Sequence, residues 1–152
     1  MTAKTLAKFI LNRYQGLVPQ NAWGETSFFY NPDFRFPRGT YFVTIKEKDG
    51  ANDKASNLDR ENVFRLSFGT DKKDFLKFFG EYSSRPGKSG VIIGEYDFQK
   101  LDTLMPHPVY GWIGWVCILN PTENSLQEIL PLIDKYYDIT KKRFGKKSKV
   151  KI

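Results

Sequence analysis

The segment from Tyr110 to Leu119 constrains the fold more than any other stretch of this chain. Successive side chains of a strand point to opposite faces of its sheet, and here both alternating sets are apolar. One set is Trp112, Val116 and Ile118, and the other is Ile113, Trp115, Cys117 and Leu119. Because such a strand must be covered on both faces, the segment predicts a strand in the middle of a sheet.

The chain has 152 residues, which predicts one domain that is large enough to bury a core without disulfide bonds. The single cysteine, Cys117, favours a reducing compartment, so we expect a cytoplasmic protein. No apolar run approaches the roughly 18 residues of a membrane span, and the N-terminus lacks the apolar core of a signal peptide. We therefore expect no association with a membrane.

The net charge of +7 comes from the C-terminal end of the chain. Residues 141–152 contain seven of the 24 basic residues and none of the 17 acidic ones, so the remainder is neutral. We expect residues 1–143 to form a single α+β domain and residues 144–152 to form a basic, flexible tail. The tail is either a solubilising segment or a contact for nucleic acid. The candidate contacts are Lys141, Lys142, Arg143, Lys146, Lys147, Lys149 and Lys151.

Hydrophobic periodicity and turn signals divide the chain into alternating helices and strands. The predicted elements are a helix over Thr2–Tyr14, strands over Trp23–Tyr30, from Thr40 to the Asp49-Gly50 turn and over Val63–Gly69, a helix over Asp71–Phe79, a short helix over Asp97–Leu104, the strand Tyr110–Leu119 and a helix opened by Ser125. Short connections between consecutive strands favour antiparallel pairing. We therefore expect an α+β fold, with an antiparallel sheet of about four to five strands packed by two to three helices.

Local signals predict where the later helices begin and end. Thr70 is the predicted N-cap of the second helix, and Gly80 ends it. Ser125 with Glu128 predicts a capping box for the last helix, which Pro131 either kinks or truly begins. The glycine- and serine-rich stretch 83–90 is expected to be mobile.

Alternation predicts the faces of two strands. Tyr41, Val43 and Ile45 are expected to share one face of their strand. The set Phe64, Leu66 and Phe68 is expected to face the core, which leaves Arg65 and Ser67 on a side that is wet or contacts a partner. If the helices lie on one side only, the other side needs cover from a homodimer, a ligand or the long loop.

His107 is the first candidate for a functional residue. It lies between Pro106 and Pro108, and the residue before a proline is restricted to extended conformations, so the imidazole is aimed rather than free. An aimed histidine can act as a general base or as a hydrogen-bond donor to a ligand. The alternative is that it bonds a backbone carbonyl and anchors the entry to the next strand.

Charged and aromatic residues near the predicted sheet supply the other candidates. Asp59 and Arg65 could form a buried pair in which each orients the other, and Arg65 could grip a carboxylate or phosphate bidentately. Glu25 lies early in its strand. Tyr110 and Trp115 could line a concave face, although core packing explains most aromatic residues of the chain equally well. A structural salt bridge and plain surface charge are the competing explanations for the charged residues.

Several chemistries are excluded by what the chain lacks. One histidine and one cysteine provide no zinc-type ligand set, and we expect no metal and no cofactor. Cys117 lies in an apolar run, where a thiol is normally inert. The stretch Gly87–Gly90 (GKSG) lacks the glycine that a phosphate-binding loop has at the position of Tyr82.

Several segments of the chain resemble an uncharacterised, mainly bacterial family of single-domain proteins of unknown function. They are FFYNP at Phe28–Pro32, Phe36–Pro37, ASNLDRENVFRL at Ala55–Leu66, Phe79–Gly80 and the stretch Asp97–Pro121 with its HPVY and WV-x-x-LNP elements. The resemblance carries no activity to any residue. The order of elements is also similar to the MmcQ/YjbR-like group, which implies a CyaY-like or double-wing arrangement and DNA binding.

These observations predict a cytoplasmic binding module with an aromatic-lined pocket or a partner-binding sheet face. The ligand is expected to be a small anion, or the partner a protein, and the contact residues are His107, Arg65, Asp59, Tyr110, Trp115 and Glu25. Two alternatives stay open. One is a double-wing DNA-binding protein that uses the basic tail, and the other is a small enzyme with His107 as acid or base.

Overall fold

The computed structural model describes residues 1–150, which fold into one six-stranded antiparallel sheet and three α-helices. The elements are α1 (Ala3–Arg13), β1 (Leu17–Ala22), β2 (Glu25–Tyr30), β3 (Thr40–Lys46), β4 (Arg65–Gly69), α2 (Lys72–Phe79), β5 (Met105–Pro106), β6 (Trp115–Leu119) and α3 (Glu123–Val150). The predicted α+β class is confirmed, with one strand more than the upper end of the expected range. Of the described helices, none is both long and apolar enough to cross a bilayer.

The strands lie in the order β1-β2-β3-β4-β6-β5. The doubly apolar segment supplies β6, which is paired on both sides but lies next to the short edge strand β5 rather than at the centre. It is also shorter than predicted, because residues 111–113 form a 3-10 turn. Gly114 ends that turn in the left-handed region at a φ of 91°, so the extended backbone begins only at Trp115.

Strand β1 was not predicted, and the strand predicted to start at Trp23 starts at Glu25. β1 pairs with β2 through a two-residue turn, in which Trp23 and Gly24 have φ values of 49° and 76°. Two positive φ values are the signature of the type I′ hairpin turn. Pro19 suggests a loop, but a proline is tolerated here because β1 is an edge strand. Trp23 itself is 93% exposed.

All three helices pack on one side of the sheet, which we call the helix face. The core between them contains Leu6 and Ile10 of α1, Phe75 of α2, and Leu126, Ile129, Leu130, Ile133 and Tyr136 of α3, against Phe28, Phe42, Val43, Ile45, Leu66, Phe68, Val116 and Ile118 of the sheet. Arg13 pairs with Asp134 at 2.8 Å and ties α1 to α3. Lys135 pairs with Asp71 and ties α2 to α3.

A β-bulge in β3 corrects the predicted faces of that strand. The register shifts by one residue between Phe28 and Phe29, so Phe28 pairs with Val43 while Phe29 pairs with Tyr41. Phe42 is the extra residue, and its ring packs on Tyr14 and on α3. Tyr41 therefore does not share a face with Val43 and is half-exposed, because the bulge interrupts strict alternation.

The helix boundaries correct three local predictions, confirm one and decide between two alternatives for Pro131. Asp71, not Thr70, caps α2, since its carboxylate accepts from the Asp74 N–H at 2.8 Å. The α3 cap is Thr122, whose hydroxyl accepts from the Ser125 N–H. Pro131 lies inside α3 and does not start it. Residues 97–104 are not helical, whereas Gly80 ends α2 as predicted.

The opposite side of the sheet, which we call the loop face, is covered by the connection 47–64. Leu58 of this connection is fully buried, and the side chains of Asp53 and Ser56 bond to Arg65 of β4. Arg65 and Ser67 are buried as well, so the prediction of a wet or partner-facing side was wrong. The connection 47–64, the long loop that was one of the expected covers, buries this face of β4.

Candidate functional site

A cavity of about 650 Å³ opens where the loop face meets α3. Four of the six predicted ligand contacts line it, namely Glu25, His107, Tyr110 and Trp115. Two residues predicted as nucleic-acid contacts, Arg143 and Lys147, also line it. A volume of this size is typical of sites for small organic ligands.

His107 contributes a fixed imidazole to the cavity. Its Nδ1 accepts hydrogen bonds from the backbone N–H groups of Val109 and Tyr110, at 3.0 and 3.1 Å. The predicted bond to a backbone carbonyl was therefore wrong, because the turn after Pro108 presents donors and not an acceptor. An Nδ1 that accepts two bonds carries no proton, so the neutral ring holds its proton on Nε2. The side chain is a hydrogen-bond donor.

The electrostatic surroundings keep His107 neutral. Burial lowers the pKa of the imidazole well below its ordinary value, and the positive charges of Arg65 and Lys46 lower it further. The carboxylate of Asp53 acts in the opposite direction but does not reverse the shift. At neutral pH the ring of this cavity-lining residue therefore carries one donor, Nε2–H, and no free lone pair.

Arg143 and Lys147 supply the positive charge of the cavity from α3. They lie four residues apart, and therefore on one side of the helix. The Arg143 guanidinium donates to the Tyr136 hydroxyl at 3.0 Å and lies near the Tyr136 ring. The Tyr136 ring lies directly against Gly69 of β4, where any Cβ would overlap the phenol ring. The glycine thus lets an α3 side chain reach the cavity.

Aromatic rings form the other walls. The Trp115 ring meets the Tyr136 ring edge-on, with centroids 6.0 Å apart. The Tyr110 ring lies 5.1 Å from the imidazole of His107, and about half of Tyr110 is exposed. Tyr41 packs on Phe29 and is also half-exposed. These partly exposed rings offer flat apolar surfaces inside a cavity that also contains charge.

Arg65 does not line the cavity and serves the structure of the loop face. It is fully buried, and its guanidinium forms a bidentate ion pair with Asp53 and a bond of 2.9 Å to the Ser56 hydroxyl. The pairing lowers the pKa of Asp53 and raises that of Arg65, despite the burial of both groups. Arg65 therefore holds the connection 47–64, which we call the covering loop, against the sheet.

Asp59 lies away from the cavity, and the predicted Asp59–Arg65 pair was wrong. The Asp59 carboxylate accepts from the backbone N–H of Asp49 at 3.0 Å, which closes the covering loop on itself. Arg60 bonds only backbone carbonyls, those of Ser56, Asn57 and Gln99. The sequence offered no signal for Asp53, because acidic residues occur throughout the loop.

The remaining described cations of the C-terminal segment do not line the cavity. Lys141 pairs with Asp138 at 3.4 Å, and Lys142, Lys146 and Lys149 are exposed on α3. Residues 144–150 continue the helix, and Phe144 packs against Tyr30 and Phe36. Lys151, also predicted as a nucleic-acid contact, lies outside the described residues.

Cys117 is not among the residues that line the cavity. The thiol is fully buried, and burial raises its pKa to about 12, which leaves no thiolate at neutral pH. Within residues 1–150, no group of three or more His, Cys, Asp and Glu side chains is placed to hold a metal ion.

Comparison with known proteins places the chain in a family. A family model described as "Family of unknown function (DUF6194)" matches residues 1–149, so the chain belongs to this family. The resemblance to an uncharacterised family is thereby confirmed over nearly the whole chain. No curated protein and no solved structure matches the chain. The likeness to the MmcQ/YjbR-like group stays a prediction.

Proposed function

We propose that this DUF6194 protein is a small binding module whose cavity takes an organic anion. The observation that supports it most directly is that Arg143, Lys147 and His107, whose neutral ring is a donor, line one aromatic-walled cavity. Each of these groups donates hydrogen bonds, and two of them carry positive charge. A carboxylate, sulfonate or phosphate is the natural complement of such a set.

The charge balance of the cavity favours an anion. Arg143 and Lys147 are opposed by a single acid, Glu25, which lies on β2 directly opposite Lys46 in the register. Arg143 is held in place by the Tyr136 hydroxyl, so less conformational entropy is lost when it grips a ligand. Electrostatic attraction is also stronger in a partly enclosed cavity than in bulk water.

A general base at His107 is disfavoured by its hydrogen bonds. To accept a proton from a substrate, the ring would need a free lone pair, and Nδ1 already accepts from two backbone N–H groups. Its lowered pKa also opposes an imidazolium that could act as a general acid. Ligand binding therefore accounts for the residues of this site better than acid–base catalysis does.

DNA binding by the basic segment remains the second candidate function. Lys142, Lys146 and Lys149 are exposed along α3 and could contact phosphates. Such binding would weaken steeply with salt and would be lost in a Lys142→Gln, Lys146→Gln, Lys149→Gln variant. Binding of a small anion in the cavity would survive that same triple substitution.

The test uses 2-naphthoate, a flat aromatic carboxylate, as the probe. Titration into ¹⁵N-labelled protein is followed by the indole N–H resonances of the three tryptophans. We expect the Trp115 resonance to shift while that of the exposed Trp23 stays in place. No shift at Trp115 up to millimolar probe would reject the proposal.

A pair of matched variants then tests the role of charge. Arg143→Gln with Lys147→Gln should weaken 2-naphthoate at least about tenfold, since each removes a charge-assisted hydrogen bond. The control, Lys142→Gln with Lys146→Gln, removes the same charge from the same helix outside the cavity. It should change the affinity less than about twofold, because exposed distant charges are screened.

A further inference from the structure

We infer that the ligand is a planar aromatic anion that also carries a bare hydrogen-bond acceptor, such as a ring nitrogen or a carbonyl oxygen, which meets His107. This inference rests on the proposed function and names its ligand class. The anion binds at Arg143 and Lys147, the ring lies against Trp115, and the acceptor takes the Nε2–H of His107.

Hydrogen bonds to the main chain and to Nδ1 fix the orientation of the His107 imidazole. Flanking prolines restrict the backbone of the Pro106-His107-Pro108 segment, and the His107 N–H donates to the Trp115 carbonyl at 2.9 Å. The His107 carbonyl in turn accepts from the Gly111 N–H at 2.8 Å. With Nδ1 committed to Val109 and Tyr110, the ring has no second tautomer available to it. A ligand can therefore meet only a donor at this position.

Trp115 is connected to both His107 and Arg143. Its main chain pairs with His107 on one side, and its ring contacts Tyr136, which holds Arg143. Trp115 is thus joined through its main chain to the segment that holds the donor-only imidazole, and through Tyr136 to the guanidinium. In the proposed complex the ligand ring lies on Trp115, its anion is directed to Arg143 and its acceptor to His107.

The walls of the cavity include three flat aromatic rings. Tyr41, Tyr110 and Trp115 each present a partly exposed ring to the same cavity. Aromatic walls bind planar rings by stacking and by edge contacts with little loss of conformational entropy. A flexible aliphatic anion would satisfy Arg143 but would leave these surfaces without a partner.

The specificity expected from this arrangement is directional. A bare ring nitrogen gains a hydrogen bond at His107, whereas an N–H or ammonium group at the same place would face another donor. A site whose polar group is left unpaired discriminates strongly against the wrong ligand. The cavity should therefore select acceptors at one end and anions at the other.

The decisive experiment compares three probes of nearly identical shape by calorimetry near neutral pH. Quinoline-6-carboxylate carries both the acceptor and the charge, 2-naphthoate lacks the acceptor, and quinoline-6-carboxamide lacks the charge. We expect quinoline-6-carboxylate to bind about fivefold more tightly than 2-naphthoate, as one net hydrogen bond provides. The carboxamide should bind at least about tenfold more weakly than the carboxylate.

The outcomes separate the two proposals. If 2-naphthoate binds at Trp115 and the quinoline shows no gain, the inference about His107 is overturned while the binding module stands. If none of the probes binds, the proposed function itself fails. If the carboxamide binds as tightly as the carboxylate, the assignment of the anion to Arg143 and Lys147 is overturned.

A protein-side test uses His107→Asn. The asparagine carbonyl can replace Nδ1 as the acceptor for Val109 and Tyr110, but no group replaces Nε2–H. We expect the ratio of quinoline-6-carboxylate affinity to 2-naphthoate affinity to fall from about five to about one, because the hydrogen bond that distinguishes the two probes is lost. A preference that survives the substitution would overturn the inference.

The wild-type protein offers a second, variant-free measurement. The chain has one histidine, so long-range ¹H–¹⁵N spectra report the tautomer of His107 without assignment work. A proton on Nε2 and a bare Nδ1 are expected. A proton on Nδ1 at neutral pH would overturn the inference even before any ligand is added.

Discussion

The helix face and the loop face of the sheet meet at the same strands but are buried by different interactions. β4 shows the contrast within two residues, because Leu66 packs among apolar side chains of the helix face while Arg65 pairs with Asp53 on the loop face. The helix face is aromatic and aliphatic throughout. The loop face buries Arg65, Ser67, Lys46 and His107 at less than a tenth of their full exposure.

The two faces differ in how precisely their buried groups must be placed. Apolar burial is non-directional, so the helix face tolerates changes that conserve volume. Buried polar groups must find particular partners, and here the Nε of Arg65 and the Oγ of Ser67 have none among the described residues. The loop face therefore contributes less stability per buried group, yet it positions the donor and the loop that border the cavity.

The sharpest test of this contrast is Arg65→Ala. It leaves Asp53 partly buried without its partner, and removal of one member of a buried ion pair costs about 3–5 kcal/mol of the free energy of unfolding. Urea denaturation would measure it. Leu66→Ala should cost a similar amount through a cavity, but for a different reason.

A paired replacement tells the two reasons apart. Arg65→Met combined with Asp53→Leu removes both charges, and we expect it to recover most of the loss, since buried ion pairs are often matched by apolar residues of similar volume. No second substitution of this kind is available for Leu66→Ala. A double variant as unstable as Arg65→Ala would show that apolar residues cannot replace the ion pair, and that the loop face depends on the Arg65–Asp53 pair itself.

The next largest effect is the pH dependence that His107 gives to the loop face. Its pKa is lowered in the folded state, so below about pH 6.5 the unfolded chain binds a proton that the folded chain does not. Stability is complete above that pH and falls by about 1.4 kcal/mol per unit as the pH drops toward the folded pKa. The depressed pKa of Asp53 adds a further loss only below about pH 4.

Denaturation curves between pH 7 and pH 4.5 would check this slope. His107→Asn does not ionise and keeps the acceptor for the two N–H groups, so its stability should be nearly constant over the same range. A wild-type protein without the slope would show that the imidazole is protonated, or free to leave, in the folded state. The helix face should contribute no pH dependence in this window.

The helix face could be predicted from the sequence because its signals are local. The apolar stripes of α1 and α3 repeat at the helical period. Both alternating sets of β6 are apolar, which predicts that both faces of this strand are buried. Failures occurred where a single residue overrides the pattern. The bulge at Phe42 shifts the register of β3, and the turn at Trp23 adopts two positive φ values without the usual Asn-Gly.

The site could be predicted only in part, because its residues come together through tertiary packing. His107, Tyr110 and Trp115 are close in the chain, and the two prolines indicated a rigid segment. Thr44 and Tyr136 were missed as lining residues, since each is explained equally well as core. Arg143 and Lys147 were predicted as nucleic-acid contacts, and Lys147 was assigned to a tail, because charge alone does not reveal that α3 continues through both residues and that they line the cavity.

Gly69→Ala probes the border between the two faces and should have a smaller effect. A methyl group at this position overlaps the Tyr136 ring, which must then move. Overpacking of this kind costs about 1–3 kcal/mol, and it should also weaken 2-naphthoate because Arg143 loses its support. Combined with Tyr136→Leu, the alanine should regain stability but not affinity, and full recovery of both would exclude a role for Tyr136 in the cavity.

Tyr136→Phe makes the mildest change and separates packing from recognition. The phenyl ring keeps its contacts with Phe42 and Trp115, while the bond to Arg143 is lost. Because that bond lies in a partly exposed region, its loss should lower the free energy of unfolding by about 1 kcal/mol or less. Binding of 2-naphthoate should weaken several-fold, since the guanidinium is no longer held toward the cavity. Equal affinity with lowered stability would mean that the hydroxyl belongs to the structural core alone, and the border between the two faces would then lie beyond Tyr136.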